Sequence, residues 1–242
     1  MRQDDVLRSF ASERVQAEEL RIVAAYARRQ PGQRYSWFQP AHTFCAQVIE
    51  RRMLEALKVS GVATLETARV LEVGCGTGHW LRQFVEWGAQ PANVAGLDLL
   101  PERVEEARRL CPSGVALACG SATALPWPDA TFDIVMQSTV FTSIRDARVR
   151  ELVAAEMLRV VKNEGLIIWY DYHRDNPWNA DVRGVKMREI RRLFQGCRLR
   201  VRRMTLAPPI ARALAPYSWL ACELLERLPL LCTHYLVMIS RR

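Results

Sequence analysis

The chain has 242 residues and a mass of 27.7 kDa, with half its residues apolar, a quarter charged, a formal charge of +8 and a pI near 9.4. These values exclude a disordered or fibrous chain and fit one α/β domain with attachments. The positive balance points to anionic partners without choosing between a phosphorylated substrate, a membrane surface and nucleic acid.

No apolar run reaches the length of a bilayer span, and the start, Met1-Arg2-Gln3-Asp4-Asp5, lacks an apolar signal core, so a cytoplasmic location is expected. The seven cysteines form no C-x-x-C pair and read as reduced, mostly buried small hydrophobes. No metal site is expected.

Residues 2–29 carry apolar positions such as Val6, Phe10, Val15, Ile22 and Tyr26 between charges, an amphipathic helical pattern that Pro31-Gly32 stops. An aromatic loop follows, Arg34-Tyr35-Ser36-Trp37-Phe38-Gln39-Pro40-Ala41-His42, and then a helix over about 43–57. Residues 1–60 are therefore taken as an N-terminal helical or lid segment and 61–242 as the main domain. The aromatic loop is explained equally well as a lid or as a patch fastening the helix to the core.

Val70 to Val73 is a short apolar strand that runs into Gly74-Cys75-Gly76-Thr77-Gly78 and then an apolar helix start. Three alternating glycines allow a sharp turn and leave bare backbone against which a ligand can lie. Glu72 sits inside that strand, where a carboxylate is costly unless it meets a partner or a ligand. Asp98 closes a second apolar run, Val94 to Leu97, where one carboxylate can accept from both hydroxyls of a ribose. His79 occupies the place where a dinucleotide fingerprint wants a small residue, which disfavours that rival.

This pattern of E-x-G-x-G-x-G and an Asp-ended second strand resembles the class I S-adenosylmethionine-dependent methyltransferases. The following Leu125-Pro126-Trp127-Pro128-Asp129 and Phe132-Asp133-Ile134-Val135 are similar to the broad type 11 group of small-molecule methyltransferases. The resemblance implies S-adenosylmethionine as cofactor, S-adenosylhomocysteine as product, and a cofactor site that includes Tyr35, Glu72, Gly74, Cys75, Gly76 and Gly78. Asp98, Leu99, Ser121, Ala122, Gln137 and Ser138 complete it. Ser121 stands where the family usually has an acid that bonds the adenine amino group. Its hydroxyl and the Ala122 amide are the groups left for that task.

From Arg69 onward strands and helices alternate: a helix over about 78–87, a strand over 93–98, a helix opened by Pro101, and strands at 115–119 and 132–137. Asp146 caps a helix whose apolar stripe ends at a turn over 162–165, and Leu166 to Tyr170 form the fifth strand. The alternation predicts a Rossmann-like, seven-stranded, mostly parallel sheet with an antiparallel last strand and helices on both faces.

After the fifth strand, Asp171, Tyr172 and His173 offer an acid, a phenol and a base in one reach, and His42 on the aromatic loop is a second candidate base. A turn at Asn176-Pro177 capped by Asp171 and Asp175 explains the same segment structurally. A helix over about 187–194 precedes a strand whose Arg198, Arg200 and Arg202 alternate with Leu199 and Val201, as suits an exposed edge.

The insertion at about 206–230 is strongly apolar and reads as a hydrophobic cap, a membrane-touching helix or further core. The expected reaction is direct methyl transfer to a small, hydrophobic or anionic acceptor, with a lipid-linked substrate or peripheral membrane contact allowed. Two alternatives remain: a regulatory or assembly subunit that keeps the cofactor pocket, and a nucleic-acid methyltransferase. The latter is opposed by the lack of an Asn-Pro-Pro-Tyr-type motif after the fourth strand.

Overall fold

The apolar runs around the glycine turn become the central strands of one sheet. The computed structural model describes residues 3–28, 36–176 and 179–242. Its strands are β1 (Val70–Val73), β2 (Val94–Asp98), β3 (Ala116–Cys119), β4 (Phe132–Ser138), β5 (Val161–Tyr172), β6 (Cys197–Leu206) and β7 (Cys232–Arg241). They form a seven-stranded sheet in the order β3-β2-β1-β4-β5-β7-β6. β3, β2, β1, β4 and β5 pair in parallel, and β7 runs antiparallel to both β5 and β6. Every residue of β1 and β2 is buried, as strands covered on both faces require.

The helices are α1 (Gln3–Ala27), α2 (Pro40–Val59), α3 (His79–Glu86), α4 (Pro101–Leu110), α5 (Ala147–Val160), α6 (Met187–Leu193), α7 (Pro208–Leu214) and α8 (Trp219–Glu226). Proline opens α2, α4 and α7, where its missing N–H has no helical partner to lose. Asp146 caps α5 by accepting from the Arg148 and Val149 amides at 2.8 and 3.1 Å. Met53 and Leu57 of α2 and Leu81 and Phe84 of α3 pack on one face of the sheet with Val70, Ile134 and Ile168. Val153 and Met157 of α5 and Ile190 of α6 cover the other, with Leu71, Val135 and Ile167. A smaller core of Phe44, Val48, Ala211 and Cys222 joins α2 to the cap of α7 and α8.

Two local expectations change. α2 begins at Pro40, so His42 is helical rather than part of a loop. β5 begins at Val161 and ends at Tyr172, longer than expected at both ends. The turn expected over 162–165 survives as a bulge, because pairing jumps from Phe132 with Val161 to Ile134 with Leu166.

Candidate cofactor cleft

At the carboxyl edge of the sheet the strand order reverses between β1 and β4, the place where open α/β sheets bind ligands. A cleft open to solvent lies there. Of the residues expected at the cofactor, Gly74, Asp98, Leu99, Ser121, Ala122 and Ser138 line it together.

The turn that carries the glycines is built from left-handed backbone: φ is 73° at Gly74, 53° at Gly76 and 76° at Gly78. At Gly74 an added Cβ would collide with Val140 Cγ2, and at Gly78 it would lie 2.5 Å from Cys111 Sγ. Gly76 differs, since a Cβ there would meet only Arg103 Nη1, at 3.4 Å. The outer two glycines therefore serve close packing, and the middle one faces open space. The turn is held to β2 by the amides of Gly74 and Cys75, which donate to the Leu97 carbonyl at 2.7 and 3.0 Å.

Asp98 is buried and its two oxygens are spread between the turn and the next helix. Oδ2 accepts from the Gly76 amide at 2.8 Å and Oδ1 from the Leu100 amide at 3.0 Å. A carboxylate has about four acceptor positions, so two remain for a ligand's hydroxyls. Behind the turn, Glu72 is buried and its Oε2 has no hydrogen-bond partner. Burial, and then the negative charge of Asp98, push its carboxyl well above the usual range against the pull of Arg82. A buried carboxyl oxygen left unpaired costs about 1–3 kcal/mol, which a ligand donor would recover. The orphaned Glu72 oxygen, the open backbone at Gly76 and the spare acceptor capacity of Asp98 fit a ligand with an amine and a ribose, as S-adenosylmethionine has.

Other expected residues are placed elsewhere. Ser121 lines the cleft, but its hydroxyl is engaged in its own turn, 2.7 Å from Thr123 Oγ1 and accepting from the Thr123 amide at 3.2 Å. Gln137 is buried, its Oε1 accepting from the Val140 amide at 3.0 Å while Nε2 has no partner. Cys75 lies buried in the turn with its thiol pushed up by burial and by the nearby carboxylates of Glu72 and Asp98, which suppresses nucleophilic chemistry. Tyr35 lies outside the described residues.

The four residues expected to do chemistry do not gather at this cleft. Because β5 continues to Tyr172, consecutive side chains alternate across the sheet. Asp171 is fully buried on one face, accepting from the Thr142 hydroxyl at 2.7 Å and from the Thr142 and Tyr172 amides at 3.1 and 2.8 Å. Its carboxyl is pushed up to about 6, chiefly by burial. Tyr172 packs its ring 3.7 Å from that of His234. His173 is buried, stacked 4.4 Å from Tyr235, with Nε2 3.0 Å from the Cys232 carbonyl. His42 meets the edge of Trp37 at 5.2 Å. No described histidine lines the cleft.

The roof of the cleft comes from α1, whose Glu19, Ile22 and Tyr26 line it. Their three- and four-residue spacing puts them on one helix face. The helix is pinned by its neighbour Glu18, which accepts from the Arg145 amide and, at 3.3 Å, from that of Asp146, and pairs with Arg21 at 2.9 Å. Burial raises the Glu18 carboxyl, and Arg21 with the two amides outweighs it, holding the group below its ordinary value. Arg21 also donates to the Ser143 carbonyl. The Arg103 guanidinium lies 4.4 Å over the Tyr26 ring. Glu19 carries a buried Oε1 with no hydrogen-bond partner. In the sequence Ile22 and Tyr26 read only as apolar positions of an amphipathic helix, and nothing in that pattern points to Glu19 or to a cleft beneath.

Residues 70–165 match a family model described as a methyltransferase domain. A structure of a S-adenosylmethionine-dependent methyltransferase from Archaeoglobus fulgidus superposes with a TM-score of 0.58 at 14% identity, covering 81% of this chain and 94% of that one. Fold, strand order and turn thus define the class I, Rossmann-like methyltransferase architecture. Residues 70–165 thus match a methyltransferase domain, set in a fold shared with S-adenosylmethionine-dependent methyltransferases.

Among characterised relatives, the 2-methyl-6-phytyl-1,4-hydroquinone methyltransferase of Synechocystis sp. is 35% identical over 108 residues, 43% of this chain and 32% of that protein. The tRNA N(3)-cytidine methyltransferase of Gallus gallus is 25% identical over 139 residues, 54% of this chain and 37% of that one. The chain thus spans about a third of the length of these two relatives.

Proposed function

We propose that this chain is an enzyme that transfers a methyl group from S-adenosylmethionine to a small, largely apolar acceptor of the hydroquinone kind. The observation that carries the reading is the pairing of Asp98, locked to the Gly76 amide, with the orphaned Glu72 oxygen behind the same turn. Asp98 would hold the ribose and Glu72 the amine at the amino-acid end. Bound S-adenosylmethionine supplies a sulfonium methyl whose leaving group is already good, so the protein contributes mainly alignment and exclusion of water.

The adenine contact is proposed for Glu19. The Ser121 hydroxyl is occupied within its turn, whereas Glu19 reaches the same cleft from α1 with a free acceptor oxygen. The acceptor class is supported by the hydroquinone-methylating relative and by the lack of a histidine in the described cleft lining, which suits methylation at carbon without a general base.

Titration calorimetry with S-adenosylhomocysteine, followed by transfer of labelled methyl to a panel of prenylated hydroquinones and to tRNA, tests this. Binding with labelled quinol supports the proposal. Binding with no transfer favours a regulatory subunit, and transfer to tRNA alone gives the acceptor to nucleic acid.

A further inference from the structure

The cap built from α7, α8 and the turn at Pro229–Leu231 carries two features that the cleft does not use. The first is apolar. Leu220, Leu224 and Leu228 are 68, 51 and 51% exposed and recur every four residues, forming one stripe along α8 and the turn after it. Tyr217 at 87% and Leu230 at 73% extend it. The opposite side of α8 already packs inward through Cys222, so the stripe is not the helix's core face. Single exposed leucines are ordinary, but a row of them on one small element marks a surface with an occupant.

The second feature is charge. Directly beside the stripe, a small cavity is lined by Arg52, Arg202, Arg203 and Arg227 around Glu226 and Pro229. Arg52 and Arg202 share one carboxylate, Glu55, each at 2.9 Å. Arg203 meets the Tyr235 ring at 5.8 Å, and neither it nor Arg227 has a carboxylate partner among the described residues. Glu226 is buried, with Oε1 accepting from the Thr205 amide at 2.9 Å and Oε2 unpaired. Burial pushes its carboxyl up, against the pull of Arg52 and Arg202.

We infer that this face rests on an anionic lipid surface, the arginine cavity receiving a headgroup phosphate while Leu220, Leu224, Leu228 and Leu230 enter the acyl boundary. Apolar side chains beside unpaired guanidinium groups match the two layers that such a surface presents, and guanidinium matches phosphate geometry. A second copy of the chain fits less well, because a two-fold contact through this patch would bring like-charged arginines together. No helix among the described residues is long and apolar enough to cross a membrane, so the contact is peripheral. The cap adjoins α2 through the edge contact of Trp219 with Phe44, at 5.8 Å. The inference does not depend on the methyl-transfer reading, since it is tested without cofactor or acceptor.

The experiment is vesicle flotation of the full chain with vesicles of phosphatidylglycerol and phosphatidylcholine in equal parts, or of phosphatidylcholine alone. The chain should float with the anionic vesicles, and the bound fraction should fall about tenfold on neutral vesicles or in about 0.5 M salt. Leu220→Asp with Leu224→Asp should lower binding by about tenfold while thermal melting stays native, because both side chains already face solvent. Arg203→Glu with Arg227→Glu is the second variant and should abolish the preference for anionic lipid. Failure of the native chain to float, or flotation unchanged in both variants, overturns the inference. So does a dimer in sedimentation velocity that the Leu220→Asp, Leu224→Asp variant breaks while the native chain ignores vesicles, for then a second copy covers the face.

Discussion

Asp98 Oδ2 accepts the Gly76 amide at 2.8 Å, so the carboxylate proposed to hold a ribose also fixes the middle of the glycine turn. Removing it costs a ligand contact and the turn's shape together. Asp98→Ala is expected to weaken S-adenosylhomocysteine by about 1.5–3 kcal/mol, the range for hydrogen bonds to a charged group. Asp98→Asn keeps an acceptor for one amide and should lose less. Titration calorimetry decides, and native affinity in Asp98→Ala removes the ribose assignment.

The glycines separate by what surrounds them. Gly76→Ala meets only a flexible arginine tip, so it should fold with a backbone penalty of about 1–2 kcal/mol and show its main loss in cofactor affinity. Gly74→Ala drives a methyl into Val140 and should lose more stability, part of which Val140→Ala restores. Urea unfolding beside calorimetry on the three variants checks the ordering. Equal stability losses at Gly74 and Gly76 would contradict it.

For Glu19 the readout is base selectivity. A carboxylate accepts from the amine of adenine and repels the carbonyl that hypoxanthine has in its place, so S-adenosylhomocysteine should bind about 10- to 100-fold more tightly than S-inosylhomocysteine. Glu19→Gln, whose amide can donate as well as accept, should narrow or reverse that ratio. An unchanged ratio places the adenine elsewhere even if S-adenosylhomocysteine itself binds.

Acid stability should report His234. It is fully buried between Tyr170 and Tyr172, and burial, aided by His173, pushes its pKa down to about 3. The unfolded state therefore binds more protons below about pH 6.5, and the stability contributed above that pH is lost as pH falls toward 3. Asp171, raised to about 6, acts in the opposite sense, with stability falling as pH rises from the unfolded carboxyl range toward 6, and Glu72 and Glu226 share its direction. His234→Phe should flatten the acid limb of a urea-midpoint profile by up to about 1.4 kcal/mol per pH unit. An unchanged limb would mean that the ring is hydrated.

His173→Ala and His42→Ala test whether a base is needed. The His173 ring is committed to the Cys232 carbonyl and the Tyr235 face, so its loss should lower thermal stability. With a carbon acceptor, turnover per folded molecule should stay within about threefold in both variants. A fall of about 10²–10⁴ in either would assign that histidine as base and favour a hydroxyl acceptor.

The glycine turn and the Asp98 edge of the cleft were legible because their determinants are local. Glu72, the glycines and Asp98 lie within one βαβ unit, where spacing alone fixes their places around the turn. What was not legible depends on packing between distant segments. Glu19 gains meaning only when α1 lies over the sheet edge, and that docking rests on Glu18 reaching the Arg145 and Asp146 amides. The cluster at Asp171, Tyr172 and His173 read as a loop because its polarity hid two more residues of strand. Strand alternation then sends the acid and the phenol to opposite faces. In the aromatic segment, explained equally well as a lid or a fastening patch, Phe38 is 97% exposed, and the described roof of the cleft comes from α1.

The antiparallel β7 has a consequence for how the sheet is completed. It is synthesised after β6 yet fills the slot between β5 and β6, so β6 has no neighbour until β7 exists. During that interval β6 is a bare strand, and on a less polar sequence it would recruit other chains emerging nearby. Arg198, Arg200 and Arg202 along it supply the repulsion that keeps the waiting strand single.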